Sequence, residues 1–489
     1  MKNPFRNDLA LLCLASLLAT TLALSFLGKK SLDLDEVFSV VIAHDWEGMW
    51  QLITNEELNM WLYYALLHYW LKLGNGEFWV RSLSALFAVA TVPAAYLLGK
   101  RLFGSRVATL AGLLLAVNPF LILHAQNARS YSLFLFLVIL SSYFFVNSIE
   151  KPRGHQWIAY VVTSTLAVYA HLFASLVVVA QLISLLFRGK QRVPWRDFVF
   201  SGVTMTLLLL PIILRAFRTT SQIDWISPIG PSDLYIVFLA FVGNSRMLLL
   251  LYAILCFSAA GFTVMRRLCL TSETWRYKFI MTWLFVPITI AFLFSTLVKP
   301  VFAAQYLILC LPPFIFLAAI GLSTVRYRSS FVFILMLLLL FSAQALHRLY
   351  AEAGEFKKEE WREAAAYVLS ESRQNDAFLF YAYFVRKPFE YYCDRFGVPK
   401  DRMESLEFAT APYRLGTRLP EPDVELLERL QNQYPRVWLI LSHDDMPHLG
   451  RDVQSLKIRN SLHNYAVARR KEFEGIRIFL YERRSTVQG

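Results

Sequence analysis

Long apolar runs dominate the first 347 residues of the chain and then stop. Stretches of roughly 18 residues or more recur from Leu9 to Leu346, each long enough at about 1.5 Å per residue to cross about 30 Å of hydrocarbon. They predict eleven spans, near residues 9–27, 79–100, 106–124, 129–149, 156–170, 172–187, 197–216, 247–265, 279–298, 304–324 and 330–347. The first run follows Lys2 and Arg6 as a signal peptide would. No small-residue cleavage site follows it and many further spans do, so it reads as an uncleaved helix. Asp233 to Val242 is apolar but too short to span and is expected to be re-entrant or interfacial. Asn59 to Leu73, rich in Trp61, Tyr63, Tyr64, Tyr69 and Trp70, is expected to lie along the outer interface. After His347 the pattern turns soluble. Trp361 to Glu371 has helical periodicity, Ala377 to Tyr383, Val437 to Leu441 and Ile476 to Tyr481 read as buried strands, and a helical stretch falls near Asp423 to Gln433. The expected fold class is therefore a polytopic α-helical membrane protein over residues 1–347, with a soluble α/β domain over 348–489.

Composition agrees. Hydrophobic residues make up 56% of the chain and charged ones 17%, against about 25% charged in ordinary globular proteins. Disorder, collagen, a coiled coil and a disulfide scaffold are excluded. Residues 1–347 hold 26 Lys and Arg against 14 Asp and Glu, while 348–489 hold 23 against 22. The basic excess thus sits in the short loops of the membrane part, where it reports orientation and not nucleic-acid binding. With the N-terminus cytoplasmic, the basic connections at 100–106, 151–153, 188–196, 266–278 and 326–328 all lie inside. Residues 28–78, the turn His124 to Arg129, the turn near His171, the loop 217–246, the turn Lys299 to Ala304 and the whole tail then lie outside. In a bacterium that side of the inner membrane is the periplasm. One of the five cysteines, Cys393, lies in the tail, so no disulfide is expected there. No metal-ligand spacing, glycine-rich phosphate loop or nucleophile elbow is present, and no cofactor is indicated.

Acidic residues are the informative minority, because a carboxylate persists in hydrocarbon only where it is solvated or used. Residues 78–196 contain one, Glu150, and 274–351 contain none. Seven of the 14 acids before residue 348 fall between Asp33 and Glu57. In Ser31-Leu-Asp33-Leu-Asp35-Glu36 the carboxylates stand among apolar residues, where partial burial raises a pKa toward that of a useful base. On a helix Asp33 and Glu36 share one face and Asp35 points away. A solvated interfacial loop, or a helix N-cap made by Asp33 or Asp35, is the alternative to catalysis.

The acidic pair Asp35-Glu36 is followed in order by Glu57-Leu-Asn59-Met-Trp-Leu-Tyr63-Tyr64-Ala-Leu-Leu-His68-Tyr-Trp70, Glu77-Phe-Trp-Val-Arg81, Gly99-Lys-Arg-Leu-Phe103, Asn118-Pro119-Phe and Gln126-Asn-Ala-Arg129-Ser-Tyr131. Over residues 31–325 this string resembles the GT-C-fold glycosyltransferases, in the bacterial branch related to protein O-mannosyltransferases and aminoarabinose transferases. The resemblance implies transfer of a sugar from a polyprenyl-phosphate donor, such as an undecaprenyl-phosphate sugar, to a lipid, glycan or protein acceptor on the outer side. Membrane lipids are then partners and nucleic acid is not. It also implies a base in the first outer loop, mapping to Asp35 with Glu36 beside it and Asp33 as a substitute ranked below them. The expected reaction is a single displacement with inversion.

A leaving phosphate needs outward cations, for which Arg81, Arg129 and Lys299 are candidates, although an Arg or Lys at a helix end also snorkels to headgroups. Tyr63, Tyr131, His68, Gln305 and Tyr306 lie in the matching motifs, and His171, in Tyr169-Ala-His171-Leu-Phe, matches a family position. His68, His124 and His171 all map near the outer side, where a lone His is more often structural. Trp225 belongs to a stretch resembling a lid over the lipid phosphate, and Trp at that depth is more often an anchor. Two departures stand out: Asn127 replaces a common Glu, and Gln305 an Arg, so one acidic role and one phosphate contact are missing. The rival class is a polytopic transporter or lipid flippase, for which ionisable groups near the midplane and an internal repeat are expected. The predicted spans are nearly free of acids.

Overall fold

The computed structural model describes residues 4–55, 59–188, 193–216, 226, 228–265, 272–351, 357–381, 385–398, 433–444 and 451–484. In chain order the helices are α1 (Pro4–Leu24), α2 (Leu34–His44), α3 (Trp46–Asn55), α4 (Trp61–Leu71), α5 (Glu77–Phe103), α6 (Ser105–Ala116), α7 (Pro119–Ala125), α8 (Tyr131–Glu150), α9 (Gly154–Ala170), α10 (Ala174–Leu185), α11 (Trp195–Ala216), α12 (Ser232–Phe241), α13 (Arg246–Met265), α14 (Ser272–Leu297), α15 (Leu311–Ser323), α16 (Arg328–Tyr350), α17 (Trp361–Glu371), α18 (Arg386–Arg395) and α19 (Arg451–Ser461). The strands are β1 (Ala377–Tyr381), β2 (Arg436–Ser442), β3 (Tyr465–Phe473) and β4 (Ile476–Arg483). Two compact units result. The first comprises Met1–Leu27, Asp45–Thr219 and Pro228–Ala353, and the second joins Gly28–His44, Thr220–Ser227 and Gly354–Gly489.

In the first unit, all eleven predicted spans fall on helix. Six helices are long and apolar enough to cross a membrane, and two bent pairs raise the number to eight among the described residues. The α6–α7 pair bends by 56° where Asn118-Pro119 interrupts the ladder. Pro119 occupies the first turn of α7, where its missing N–H is harmless, and Asn118 caps it, its Oδ1 accepting the Leu121 N–H at 2.9 Å. The Asn118 amide also donates to the Phe241 carbonyl at 2.8 Å. The short apolar segment at Asp233 is the helix α12, which meets α13 at 95°. There Gly243 and Asn244 take φ of 63° and 56°, and Arg348 Nη2 donates to the Gly243 carbonyl at 2.9 Å. α4 lies before α5, and the indoles of Trp70 and Trp79 stack 5.1 Å apart, each donating to the other's backbone carbonyl.

α15 is apolar on every face and buried from Leu311 to Leu322. It touches α13 so closely that a methyl group on Gly321 would lie 2.0 Å from the Leu255 carbonyl oxygen. α11 and α16, by contrast, expose Phe200, Leu207, Leu214, Phe333, Met336 and Leu340, as lipid-facing helices do.

The second unit is built on a four-stranded sheet of order β1-β2-β4-β3, with β1 and β2 parallel and the other pairs antiparallel. Alternate residues feed two cores. Phe378, Phe380, Trp438, Ile440, Ile478 and Leu480 pack with Trp361 and Val368 of α17 and Phe389 of α18. Leu379, Tyr381, Leu439, Leu441, Phe479 and Tyr481 pack with Ile458 and Leu462 on the other face. A two-residue turn, Glu474-Gly475, closes the β3–β4 hairpin with Gly475 at φ 72°.

α2 belongs to this unit and packs on α18. The segment leading into it is held by side chains from far along the chain: the Leu32 N–H donates to the Tyr392 hydroxyl at 2.6 Å and the Leu34 N–H to Glu359 Oε2 at 3.1 Å. Glu359 also accepts from the Trp361 indole at 2.5 Å and pairs with His443 at 3.2 Å. Burial, with the charge of Asp33 behind it, pushes the Glu359 carboxyl up to about 7 despite the hydrogen bonds from Trp361 and Leu34 that favour its charged form.

Gly321→Ala should destabilise the protein by about 1–3 kcal/mol, since the added methyl must displace backbone. Thermal unfolding in detergent reads this directly, and Gly202→Ala, which meets nothing within 4 Å, should not lower the midpoint. A second expectation concerns pH. Folded Glu359 keeps its proton up to about 7, whereas an unfolded glutamate releases it near 4.5. Its contribution to stability is therefore complete below pH 4.5 and falls away as pH rises through 7, by about 3 kcal/mol at most. Glu359→Gln should flatten that slope in unfolding measured across the interval.

Candidate active site

The three acids at the start of α2 take different roles. Asp33 is the N-cap: its Oδ1 accepts the Glu36 N–H at 3.0 Å, and Glu36 Oε2 accepts the Asp33 N–H at 3.1 Å. This reciprocal pair is a capping box in the pattern Asp-x-x-Glu, which satisfies two otherwise open donors of the helix. Glu36 is fully buried. Lys358 compensates both charges, its Nζ standing 2.8 Å from Glu36 and 3.1 Å from Asp33. Burial is the main cause that raises the Asp33 pKa, followed by the neighbouring Glu36 charge, with Lys358 opposing both. Asp35 lies one residue inside the same turn and is exposed. It is the most exposed of the three, Asp33 being half-buried and Glu36 buried.

A second group of candidates gathers in the first unit around the turn between α7 and α8. The Ser132 hydroxyl donates to the His124 carbonyl at 3.1 Å and the Gln126 amide to the Ser25 carbonyl at 2.7 Å, which fixes the turn. Tyr131, at the start of α8, lies 4.8 Å from the His124 ring and 6.1 Å from His171, centroid to centroid. Tyr306 lies 5.1 Å from His171 and 6.4 Å from Tyr131. His171 is stacked on Phe134 at 4.8 Å and its Nδ1 accepts the Phe173 N–H at 3.2 Å, which puts the proton on Nε2. Asn59 Oδ1 accepts the Leu172 N–H at 3.1 Å and so holds the turn that carries this histidine. A short relay links Tyr63, whose hydroxyl is 2.9 Å from Ser84 Oγ, to the Arg129 carbonyl, which Ser84 reaches at 3.1 Å. The half-buried Arg129 thus emerges from a turn braced by two polar contacts. Guanidinium, phenol and imidazole donors together form a chemistry suited to an anion such as phosphate.

The remaining candidates sit on or beside α4, α5, α14 and the 3₁₀ turn Tyr306–Cys310. Arg81 is buried on α5 and donates to the Leu27 carbonyl at 2.9 Å. His68 of α4 sits in an aromatic patch, 5.0 Å from Trp46 and 5.2 Å from Tyr69. Lys299 follows the end of α14 and Gln305 precedes the 3₁₀ turn Tyr306–Cys310, both half-buried. Trp225 falls outside the described residues. Sequence reasoning missed Lys358, Glu359 and Tyr392, which hold the acidic helix. In the run Lys357-Lys-Glu-Glu360, Lys358 and Glu359 are largely buried, with side-chain exposures of 14% and 17%. Among the described residues no cluster of three or more His, Cys, Asp or Glu is arranged to hold a metal ion.

Residues 60–215 match the family described as dolichyl-phosphate-mannose-protein mannosyltransferase. No individual curated protein matches the chain. Among solved structures, the chain is similar to ArnT from Cupriavidus metallidurans in the apo state, at 12% identity and a TM-score of 0.59, covering 98% of each chain. The same protein bound to undecaprenyl phosphate gives a TM-score of 0.55 at 12% identity, covering 98% of this chain and 99% of that one. The Archaeoglobus fulgidus oligosaccharyltransferase in complex with Zn and sulfate gives 0.54 at 12% identity, covering 97% and 73%. The chain thus shares its fold with these solved structures, and its residues 60–215 are similar to the mannosyltransferase family.

Proposed function

We propose that the protein transfers a sugar from a polyprenyl-phosphate-linked donor to an acceptor hydroxyl on the outer side of the plasma membrane. The N-terminus is then cytoplasmic, and the second unit works in the periplasm or its equivalent. The observation that carries this reading is the family match over residues 60–215, on a chain whose whole length follows a fold also solved with undecaprenyl phosphate bound.

Asp35 is the proposed base. It takes the proton of the acceptor hydroxyl, whose oxygen forms a bond to the anomeric carbon while the bond from that carbon to the phosphate oxygen breaks, and polyprenyl phosphate leaves with the electron pair. Attack from the face opposite the phosphate inverts the centre. Asp33 and Glu36 cap the helix and pair with Lys358, and Asp35 is the exposed acid of the three. Arg129 is the proposed phosphate contact, aided by Tyr131, His171 and Tyr306 around its turn, with Arg81 and Lys299 as further cations. Tyr63 would act through Ser84 on the Arg129 turn.

Asp35→Asn should lower sugar transfer by about 10² to 10⁴, the usual worth of a general base, while leaving folded yield and melting temperature unchanged because the residue is exposed. Transfer of the natural sugar, followed by mass spectrometry of the acceptor fraction from a strain that carries only the variant, tests it. Wild-type turnover in that strain would remove Asp35 from the role.

A further inference from the structure

The link between the acidic helix and the distant segment 357–361 goes beyond what the comparisons offer. Contacts within the second unit join this helix to that segment and to α18. Lys358 bridges Asp33 and Glu36, Glu359 Oε2 accepts the Leu34 N–H, the Glu359 carbonyl accepts from the Ser31 hydroxyl at 2.5 Å, and the Tyr392 hydroxyl accepts the Leu32 N–H. The partners are 322 to 360 residues apart in sequence. Among the described residues, charged and titratable groups around the start of α2 include Lys358 and Glu359 from the connector, with His443 paired to Glu359, Arg362 at the Lys29 carbonyl and Tyr392 from α18, and Asp33, Asp35 and Glu36 on or beside α2 itself.

Lys358 decides the balance. Without it, two carboxylates would share a largely buried site, where like charges drive one to take up a proton or move apart. Either response loosens the capping box, because both of its bonds need a charged or accepting oxygen at a fixed place. Asp35 rides on that turn. We infer that Lys358, supported by Glu359 and Tyr392, is a positioning residue that holds the first turn of α2 and so aims Asp35 at the acceptor hydroxyl. This makes the C-terminal segment part of the catalytic apparatus, and it rests on the reading of Asp35 as base.

The test uses the full-length chain in right-side-out membrane vesicles from its own host, which supply natural donor and acceptor. Lys358→Met should slow transfer by about 10- to 100-fold, the penalty expected when a reacting group is displaced by about 1 Å. Binding of undecaprenyl phosphate alone should stay unchanged, and the acid limb of the pH–rate profile should move to higher pH, because Asp33 loses the cation that opposes its protonation. Lys358→Arg, which keeps the charge, should recover most of the rate. Should Lys358→Met not accumulate, Tyr392→Phe removes one hydrogen-bonding oxygen from Leu32 and should slow transfer while leaving undecaprenyl phosphate binding intact. Wild-type rates in Lys358→Met or in Tyr392→Phe, with Asp35→Asn inactive, overturn the positioning role alone. Full activity in Asp35→Asn overturns the base and the positioning role together. A slow Lys358→Met enzyme that Lys358→Arg does not rescue, with an unmoved pH profile, marks Lys358 as structural and overturns the inference.

Discussion

Lys358 stands 2.8 Å from Glu36 and 3.1 Å from Asp33, and the shape of the chain's most acidic stretch rests on that pair of contacts. A buried carboxylate needs a cation or several donors. Glu36 has both, an ammonium from Lys358 and the Asp33 amide. The same atoms that neutralise the charge also start the helix, so electrostatics and backbone geometry at this point are one problem with one solution. Asp35 escapes it by facing solvent. Three neighbouring acids thus meet three different surroundings within one turn.

A different constraint governs the membrane unit. Hydrocarbon offers no partner to a loose backbone group, so each break in a helix must be repaired by the protein. At α6–α7 the repair is Asn118, which caps the new helix and also serves the Phe241 carbonyl. At α12–α13 it is Arg348, which meets the Gly243 carbonyl. Both repairs use polar side chains that hydropathy alone would score as interruptions. The bend at Asn118 directs α7 toward the turn that carries Arg129, with Tyr131 next to it on α8.

Much of this could be read in the residues. Period and length located the spans, because burial of long apolar runs leaves few choices, and they located three of the four strands in the second unit. β3 escaped because its side chains, Ala466 to Glu472, are exposed, so no alternation marks it. Its register comes from β4 and from the Glu474-Gly475 turn. α18 and α19 were missed because charged residues break up their short apolar pattern, although α18 buries Phe389, Tyr392 and Cys393. At the site, the spacing of Asp33 and Glu36 gave their shared face correctly, and a cap was the stated alternative to catalysis. The partner Lys358 was not legible, because nothing local distinguishes a connector lysine in solvent from one that closes a contact 322 residues away. The gathering of His124, Tyr131, His171 and Tyr306 depends likewise on packing between helices distant in sequence.

β3 lies at the border of its sheet and carries Arg469, Arg470 and Lys471 in succession. An open strand is a template on which another polypeptide can add, and charged side chains along it, here Arg469 and Arg470 paired with Glu371 and Glu472 and Lys471 beside them, disfavour that addition. The margin of this sheet is therefore guarded against zipping onto a neighbouring polypeptide.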